Sequence, residues 1–482
     1  MSEICCPLRA ASRRFPDSPA LISDDSTICY REYDEMVTRI CSNLMKRGVR
    51  ESDRVALLGN NSVEYILTLM ALLRITAVAC PISPRLPDGT ISKLIELIVC
   101  GHSISFYGYD RKTIISGVNR IDTGDILASA ATGRPAGDTI TLEQDATILF
   151  TSGSSGEPKA VLHSYGNHYH SALGSNGNIP FGQDDRWLLS LPLYHVGGIG
   201  ILFRAVLDGG AVVVPHARQN LDETILQHRV THISLVPTQL YRLIQHTEEI
   251  TRVSKQLETI LLGGGPAPKP LIEETVKYRL PLCTSYGLTE MASQVTTTAR
   301  SDPPEKLATS GKLLDHRELK ISAEKEILVR GETLFRGYVE GDQLNRTTDH
   351  DGWFATGDVG AIDKDGYLTF TGRKDNMFIS GGENIHPEEI ENALYLLPSI
   401  VEALVVPKED AEYGLRPVAF VRYAGDSPPD HSALVTHLEK HLSRFKIPDT
   451  FHAWPDKTDS VVLKSSRARF AELARRLSET ES

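Results

Sequence analysis

Residues Thr147 to Ala160 read T-I-L-F-T-S-G-S-S-G-E-P-K-A, and the reading of the whole chain turns on them. Thr147 to Thr151 is β-branched and apolar, the pattern of a short buried strand. Thr151 to Gly156 then has no bulky side chain. Thr151, Ser152, Gly153, Ser154, Ser155 and Gly156 let the backbone turn tightly and expose its N–H groups. Pro158 pins the exit and Lys159 adds a cation. N–H and O–H donors with one ammonium suit a phosphate chain. The plain alternative is a polar surface turn, which needs neither the strand before nor the lysine after. The stretch is not a Walker loop, which has four residues between its glycine and Gly-Lys-Ser/Thr. Here Glu157 follows Gly156 and Ala160 follows Lys159. A nucleotide is expected; the usual phosphotransferase is not.

Composition sets the bounds. A chain of 482 residues is longer than one hydrophobic core usually serves, so at least two domains are expected. The formal net charge of −11 argues against a nucleic-acid binder with a basic face. Seven cysteines, an odd number without a C-x-x-C pair, argue against a disulfide or zinc framework and fit a reducing cytoplasm. No apolar run reaches the ~18 residues of a membrane span, and no signal peptide is visible.

Upstream of the loop, residues 20–22 and 27–30 read as paired strands and 33–47 as a helix ended by Gly48. Strands over 54–58 and 77–81 flank an apolar helix over 63–73. This alternation predicts an α/β fold with a mostly parallel sheet and covering helices. Pro84, Pro87 and Gly89 read as a loop, as does 132–138.

Downstream, Trp187 to Gly200 reads W-L-L-S-L-P-L-Y-H-V-G-G-I-G, with a strand ending at Pro192. His195 lies among Gly197, Gly198 and Gly200, which leave room for a close ligand. Arg204 sits in the apolar stretch I-L-F-R-A-V-L. Such an arginine either snorkels to the surface or waits for an anion. A helix over 221–230, a strand over 233–236 and a helix from Pro237 lead to a strand over 259–262. That strand runs into Gly263-Gly264-Gly265-Pro266. Residues 284–297 read T-S-Y-G-L-T-E-M-A-S-Q-V-T-T. Tyr286 can stack on a base, Thr289 can bond a phosphate, and the Glu290 carboxylate can hold Mg²⁺. Ser293, Gln294 and Thr296 are either pocket groups or ordinary strand residues. Residues 326–372 read as antiparallel β, with W-F-A-T-G-D ending at Asp358 and G-Y-L-T-F-T-G-R at Arg373.

T-S-G-S-S-G-E-P-K, Y-G-L-T-E, T-G-D and G-R together resemble the adenylate-forming superfamily, which includes acyl-CoA synthetases, peptide-synthetase adenylation domains and luciferases. The resemblance implies a large N-terminal domain of mixed and parallel sheets over 1–374 and a small α+β C-terminal domain over 375–482, joined by a hinge at Asp375; from Pro387 the small domain reads as helix, strand, strand, helix. It implies phosphate binding at Thr151–Gly156 and Lys159, and adenine binding at Gly263–Pro266, Tyr286 and Gly287. Thr289, Asp358 and Arg373 would complete the ATP/AMP site, with Glu290 on the metal. His195 would face the acid, with Arg204, Ser293 and Gln294. Gly381 and Gly382 would serve the CoA step. The catalytic lysine falls on Lys464, three residues before Arg467 but without the family's preceding glycine. Lys457 competes for it.

L-P-L-Y-H-V-G-G-I-G, L-L-G-G-G-P-A-P and Y-G-L-T-E-M-A-S-Q-V resemble, more narrowly, the o-succinylbenzoate–CoA ligases of menaquinone biosynthesis. This implies an aromatic dicarboxylate, ATP and CoA as substrates with Mg²⁺, in a cytoplasmic enzyme that forms no nucleic-acid complex and can form a homo-oligomer. Arg204 would hold the carboxylate that does not react. Other readings are a different aryl- or acyl-CoA synthetase, a stand-alone carrier-protein-loading enzyme, or a non-catalytic nucleotide-binding regulator.

Overall fold

The computed structural model describes residues 2–109, 117–127, 137–152, 158–215, 220–246, 248–265, 269–397, 399–410, 412–423, 430–455 and 467–481. Of the expected site, Gly153, Ser154, Ser155, Gly156, Pro266 and Lys464 lie outside the described residues, as does Lys457.

The phosphate stretch joins two antiparallel strands, Asp145–Ser152 and Pro158–Ser164, with Lys159 opposite Thr151. The sequence reading missed the second strand. Proline is tolerated there because it opens the strand. This hairpin lies inside an eight-stranded sheet. On one side run the parallel strands Val78–Ile82, Arg54–Leu58, His102–Ser105 and Asn119–Ile121. On the other side Gly337–Glu340 and Gln343–Asn345 add antiparallel.

A second, nine-stranded sheet holds the parallel strands His232–Leu235, Thr259–Leu262 and the start of Leu282–Leu288. The runs His232–Leu235 and Thr259–Leu262 are buried at every position, as a strand covered on both faces requires. Helices Val63–Arg74 and Val196–Asp208 are apolar nearly all round and lie inside the first hydrophobic core. A four-stranded antiparallel sheet, Arg317–Ile321, Glu326–Gly331, Phe354–Ile362 and Leu368–Arg373, follows. The molecule is thus α/β with mixed and parallel sheets in its larger part and a smaller α+β unit at its C-terminal end. Among the described residues, no hydrophobic cluster joins side chains before Arg373 to side chains after Asn376.

Three expectations are corrected. Pro84, Pro87 and Gly89 do not mark a single loop: Pro87 precedes helix Asp88–Leu97, and Gly89 lies in its first turn. First-turn N–H groups have no partner inside the helix, so Pro and Gly there break few bonds. The strand expected to end at Pro192 spans Arg186–Leu188. The C-terminal unit is more than helix, strand, strand, helix. A hairpin of Phe378–Ser380 and Glu383–Ile385 precedes helix Pro387–Leu394, and Thr450–Ala453 pairs parallel with Gly414–Tyr423. No helix among the described residues is long and apolar enough to cross a membrane.

Behind the hairpin lies a buried polar chain. The Thr147 hydroxyl is 2.8 Å from His168 Nε2 and 3.3 Å from His163 Nδ1, and His163 Nε2 is 2.7 Å from the Thr289 carbonyl. Burial holds His163 down to about 4, and burial followed by its neighbour His163 holds His168 well below its ordinary value. The Nε2–H of a neutral His163 donates to Thr289 and ties the hairpin to the Y-G-L-T-E turn. The folded histidines stay neutral where the unfolded chain binds protons, from the ordinary 6.5 down to about 4. Stability therefore falls as pH drops through that window. His163→Gln, which retains a donor, is expected to flatten this loss by about 2–3 kcal/mol between pH 7 and pH 4, measured by denaturant unfolding. An unchanged pH slope would exclude His163 as its source.

Candidate active site

One cleft gathers most of the expected residues. Thr151, Lys159, His195, Arg204, Gly263 to Gly265, Gly287, Thr289, Glu290, Ser293, Gln294, Asp358, Arg373 and Asp375 all line it. They come from the ends of strands in three sheets, the turns beside them, and one helix, Val196–Asp208, with the residue that precedes it.

Glu290 stands in the turn Thr289–Met291 between strands Leu282–Leu288 and Ser293–Thr297. Ala292 and Ser293 leave this turn with φ of 51° and 113°, a left-handed pair that side chains other than glycine rarely adopt. Gly287 is required opposite them, because a Cβ there would lie 2.2 Å from the Ser293 carbonyl oxygen. The strained corner places Glu290 and Gln294 along the cleft, with Gln294 buried in its wall. Lys159 Nζ lies 5.1 Å from the centre of the Tyr338 ring, and the Tyr338 hydroxyl donates to Glu290 Oε1 at 2.8 Å.

Tyr286 is buried, with its ring stacked 6.1 Å from Phe370. Its hydroxyl donates to Asp358 Oδ2 at 2.6 Å. Asp358 Oδ1 is 3.2 Å from Arg373 Nη1 but accepts no well-aligned hydrogen bond. Burial raises the Asp358 carboxyl, offset in part by Tyr286 and Arg373. Arg373 also reaches Asp375 at 3.6 Å, so the T-G-D and G-R motifs meet next to the turn Lys374–Asn376. After strand Thr259–Leu262, Gly264 takes φ +80°, and a Cβ at Gly265 would meet nothing within 4 Å.

His195 is exposed at the N-terminus of helix Val196–Asp208, its ring 4.7 Å from Tyr194. Two turns further along, Arg204 is only 1% exposed. Nη2 donates to Gln294 Oε1 at 2.7 Å, and the guanidinium lies 4.9 Å from the Trp187 ring centre. Nε and Nη1 are buried without a hydrogen-bond partner. Burial, then the neighbouring Arg317, pulls Arg204 down to about 9, still charged at neutral pH. No ion pair is formed by Arg204 among the described residues. Gly200 lies against the guanidinium: a Cβ there would lie 3.4 Å from Nη2.

The remaining residues sit elsewhere. Gly381 and Gly382 are exposed in the turn of the small hairpin, at φ of 55° and 88°, and do not line the cleft. Arg467 donates to Glu391 Oε1 at 2.7 Å and Glu388 Oε1 at 3.1 Å, and Glu388 Oε1 also accepts from Asn376 Nδ2 at 2.6 Å. Arg467 thus links the start of the last helix to the turn containing Asp375. Tyr338, Trp187 and His163 were missed in the sequence. Tyr338 had one signal, the F-R-G-Y-V run just after the E-I-L-V-R-G strand.

Among the described residues, no group of three or more His, Cys, Asp or Glu gathers into a metal cage. Mg²⁺ bound through substrate phosphates needs only one or two protein carboxylates, and Glu290 beside Thr289 supplies such an oxygen set.

Comparison with known proteins agrees with this geometry. Residues 8–339 match the AMP-binding enzyme family, and residues 389–460 match the AMP-binding enzyme C-terminal domain. A 2-succinylbenzoate–CoA ligase of Bacillus licheniformis is 34% identical over 463 residues, covering 92% of this chain and 95% of that one. The Bacillus subtilis 2-succinylbenzoate–CoA ligase is 33% identical over 450 residues, covering 90% and 91%. The solved B. subtilis o-succinylbenzoate CoA synthetase with its acyl-adenylate intermediate superimposes with a TM-score of 0.89 at 31% identity over 98% of both chains. The same synthetase with ATP and magnesium ion gives 0.89 at 31% identity over 97% of this chain and 99% of that one. A fold of this topology, with motifs meeting in one cleft and a family match over most of its length, makes this chain a member of the AMP-binding enzyme family.

Proposed function

We infer that this enzyme is an AMP-forming acid–thiol ligase that activates o-succinylbenzoate with ATP and transfers it to CoA, giving o-succinylbenzoyl-CoA for menaquinone biosynthesis. The observation that carries the choice of acid is Arg204. A cation this deeply buried, with two nitrogens unpartnered, needs an anion from the ligand. A diacid supplies one carboxylate to react and one to neutralise the guanidinium. A mono-acid leaves the charge unmatched, which disfavours a general acyl-CoA synthetase.

A carboxylate oxygen attacks the α-phosphorus of ATP, the bond to the β-phosphate breaks, and pyrophosphate leaves. Lys159 and the hydroxyls of Thr151 and Thr289 bind the phosphates, and Ser152, Gly153, Ser154, Ser155 and Gly156 are assigned to the same role. Glu290 would hold Mg²⁺, which would offset the charge on the triphosphate. Asp358 accepts from the ribose through Oδ1, and Arg373 steadies that carboxylate. Gly263 to Gly265 form the adenine wall; Tyr286, expected there, is buried behind the cleft against Phe370 and instead ties Asp358. His195, Ser293 and Gln294 line the acid pocket, and Gln294 also aims Arg204. The CoA sulfur then attacks the acyl carbonyl and AMP departs. No enzyme nucleophile is needed.

Lys464 is assigned as the lysine of adenylation, on its spacing to the anchored Arg467. Residues 1–374 and 375–482 are assigned as two domains turning about Asp375, which is supported by their separate hydrophobic cores. Turning would carry Gly381 and Gly382 to the thiol path. Seven free cysteines fit a cytoplasmic setting.

Two measurements test these assignments. Among a panel of carboxylic acids, o-succinylbenzoate should give the highest ATP- and CoA-dependent AMP release, and Arg204→Ala should raise its KM roughly 100-fold while changing the KM for ATP little. A preferred mono-acid, or an unchanged KM, sinks the diacid reading. Asp375→Pro should spare acid-dependent pyrophosphate exchange and impair thioester formation; equal loss of both half-reactions counts against the hinge.

A further inference from the structure

We propose that Tyr338 is a positioning residue for adenylation, setting the Glu290 carboxylate and the Lys159 ammonium at a fixed separation around one triphosphate. This rests on the roles proposed above for those two charges. Tyr338 lies on strand Gly337–Glu340, where it pairs directly with Val161 of the hairpin's second strand. Lys159 is two residues before Val161, so its side chain leaves the same face of the sheet. The ring of Tyr338 therefore lies under the lysine, with Nζ 5.1 Å from its centre. A cation over an aromatic face is drawn towards it and loses freedom to wander.

The other end of the same side chain meets the opposite charge. The phenol donates to Glu290 Oε1 at 2.8 Å across 48 residues of sequence. One carboxylate oxygen is thereby fixed, which orients Oε2. The contact is braced from behind. The Phe335 amide donates to the Glu290 carbonyl at 2.8 Å, and the Phe335 ring meets the Tyr338 ring edge-on at 4.9 Å. Tyr338, Lys159 and Glu290 all line the cleft. Packing alone would be served by phenylalanine; the hydroxyl is what joins the ring to the metal-binding carboxylate.

The test uses the full-length protein and α,β-methylene-ATP, which cannot be cleaved, with no acid present. Nucleotide binding is titrated against Mg²⁺ by calorimetry. Tyr338→Phe keeps the ring and should raise the Mg²⁺ concentration at half-saturation roughly 5- to 10-fold. Its KM for acid and CoA, measured separately, should stay within about twofold. Tyr338→Leu should in addition weaken nucleotide binding without metal by about threefold, through Lys159. In a Glu290→Gln background, Tyr338→Phe should change nothing further. An unchanged Mg²⁺ half-saturation in Tyr338→Phe, or full additivity with Glu290→Gln, overturns the proposal. If o-succinylbenzoate proves not to be the substrate, this acid-free measurement still decides the role of Tyr338.

Discussion

The guanidinium of Arg204 is the constraint on which the acid pocket depends. Taking a cation out of water costs several kcal/mol unless an anion or full hydrogen bonding offsets it. Here the protein provides one hydrogen-bond acceptor, Gln294 Oε1, and the face of Trp187, and leaves two nitrogens bare. Arg317 nearby increases the cost. Such an arrangement is unfavourable in the empty protein and favourable once a carboxylate enters. Binding energy is thus stored as an unmet electrostatic demand at the end of the pocket remote from the chemistry, where it orients the substrate.

The rest of the cleft is an exercise in keeping opposite charges near each other without letting them cancel. Lys159 does not pair with Glu290; Tyr338 stands between them. Asp358 is tied at one oxygen by Tyr286 and only loosely neighboured by Arg373 at the other. Left-handed backbone at Ala292 and Ser293 makes the corner that brings both Glu290 and Gln294 to the cleft. The buried His163–Thr147–His168 chain fixes that turn to the hairpin. Each device spends stability on the placement of a charge.

What could be read from the sequence was what lies contiguous along it. The Ser/Gly run ending at Lys159 and Y-G-L-T-E each carry several ligand groups within a few residues, and the parallel strands announce themselves as short apolar runs. Arg204 was visible as a charge in an apolar helix, but Gln294 and Trp187, 90 and 17 residues away, were not visible as its partners. Tyr338 left only the F-R-G-Y-V run as a signal, and its meaning lies in the pairing with Val161, which no local pattern encodes. The helix at Asp88–Leu97 was hidden because proline and glycine at its start read as loop residues. In the C-terminal unit, strands of three residues fall below any detectable periodicity.

The most direct test pairs a change in the enzyme with a change in the substrate. The wild-type ratio of kcat/KM for o-succinylbenzoate over the analogue whose unreacted carboxylate is a carboxamide should be roughly 100 or more, as for a buried charge left unpaired. In Arg204→Leu the same ratio should fall to near one, because no buried cation then distinguishes the two. A wild-type ratio near one, or a ratio that survives loss of the guanidinium, would contradict the claim that Arg204 recognises the second carboxylate.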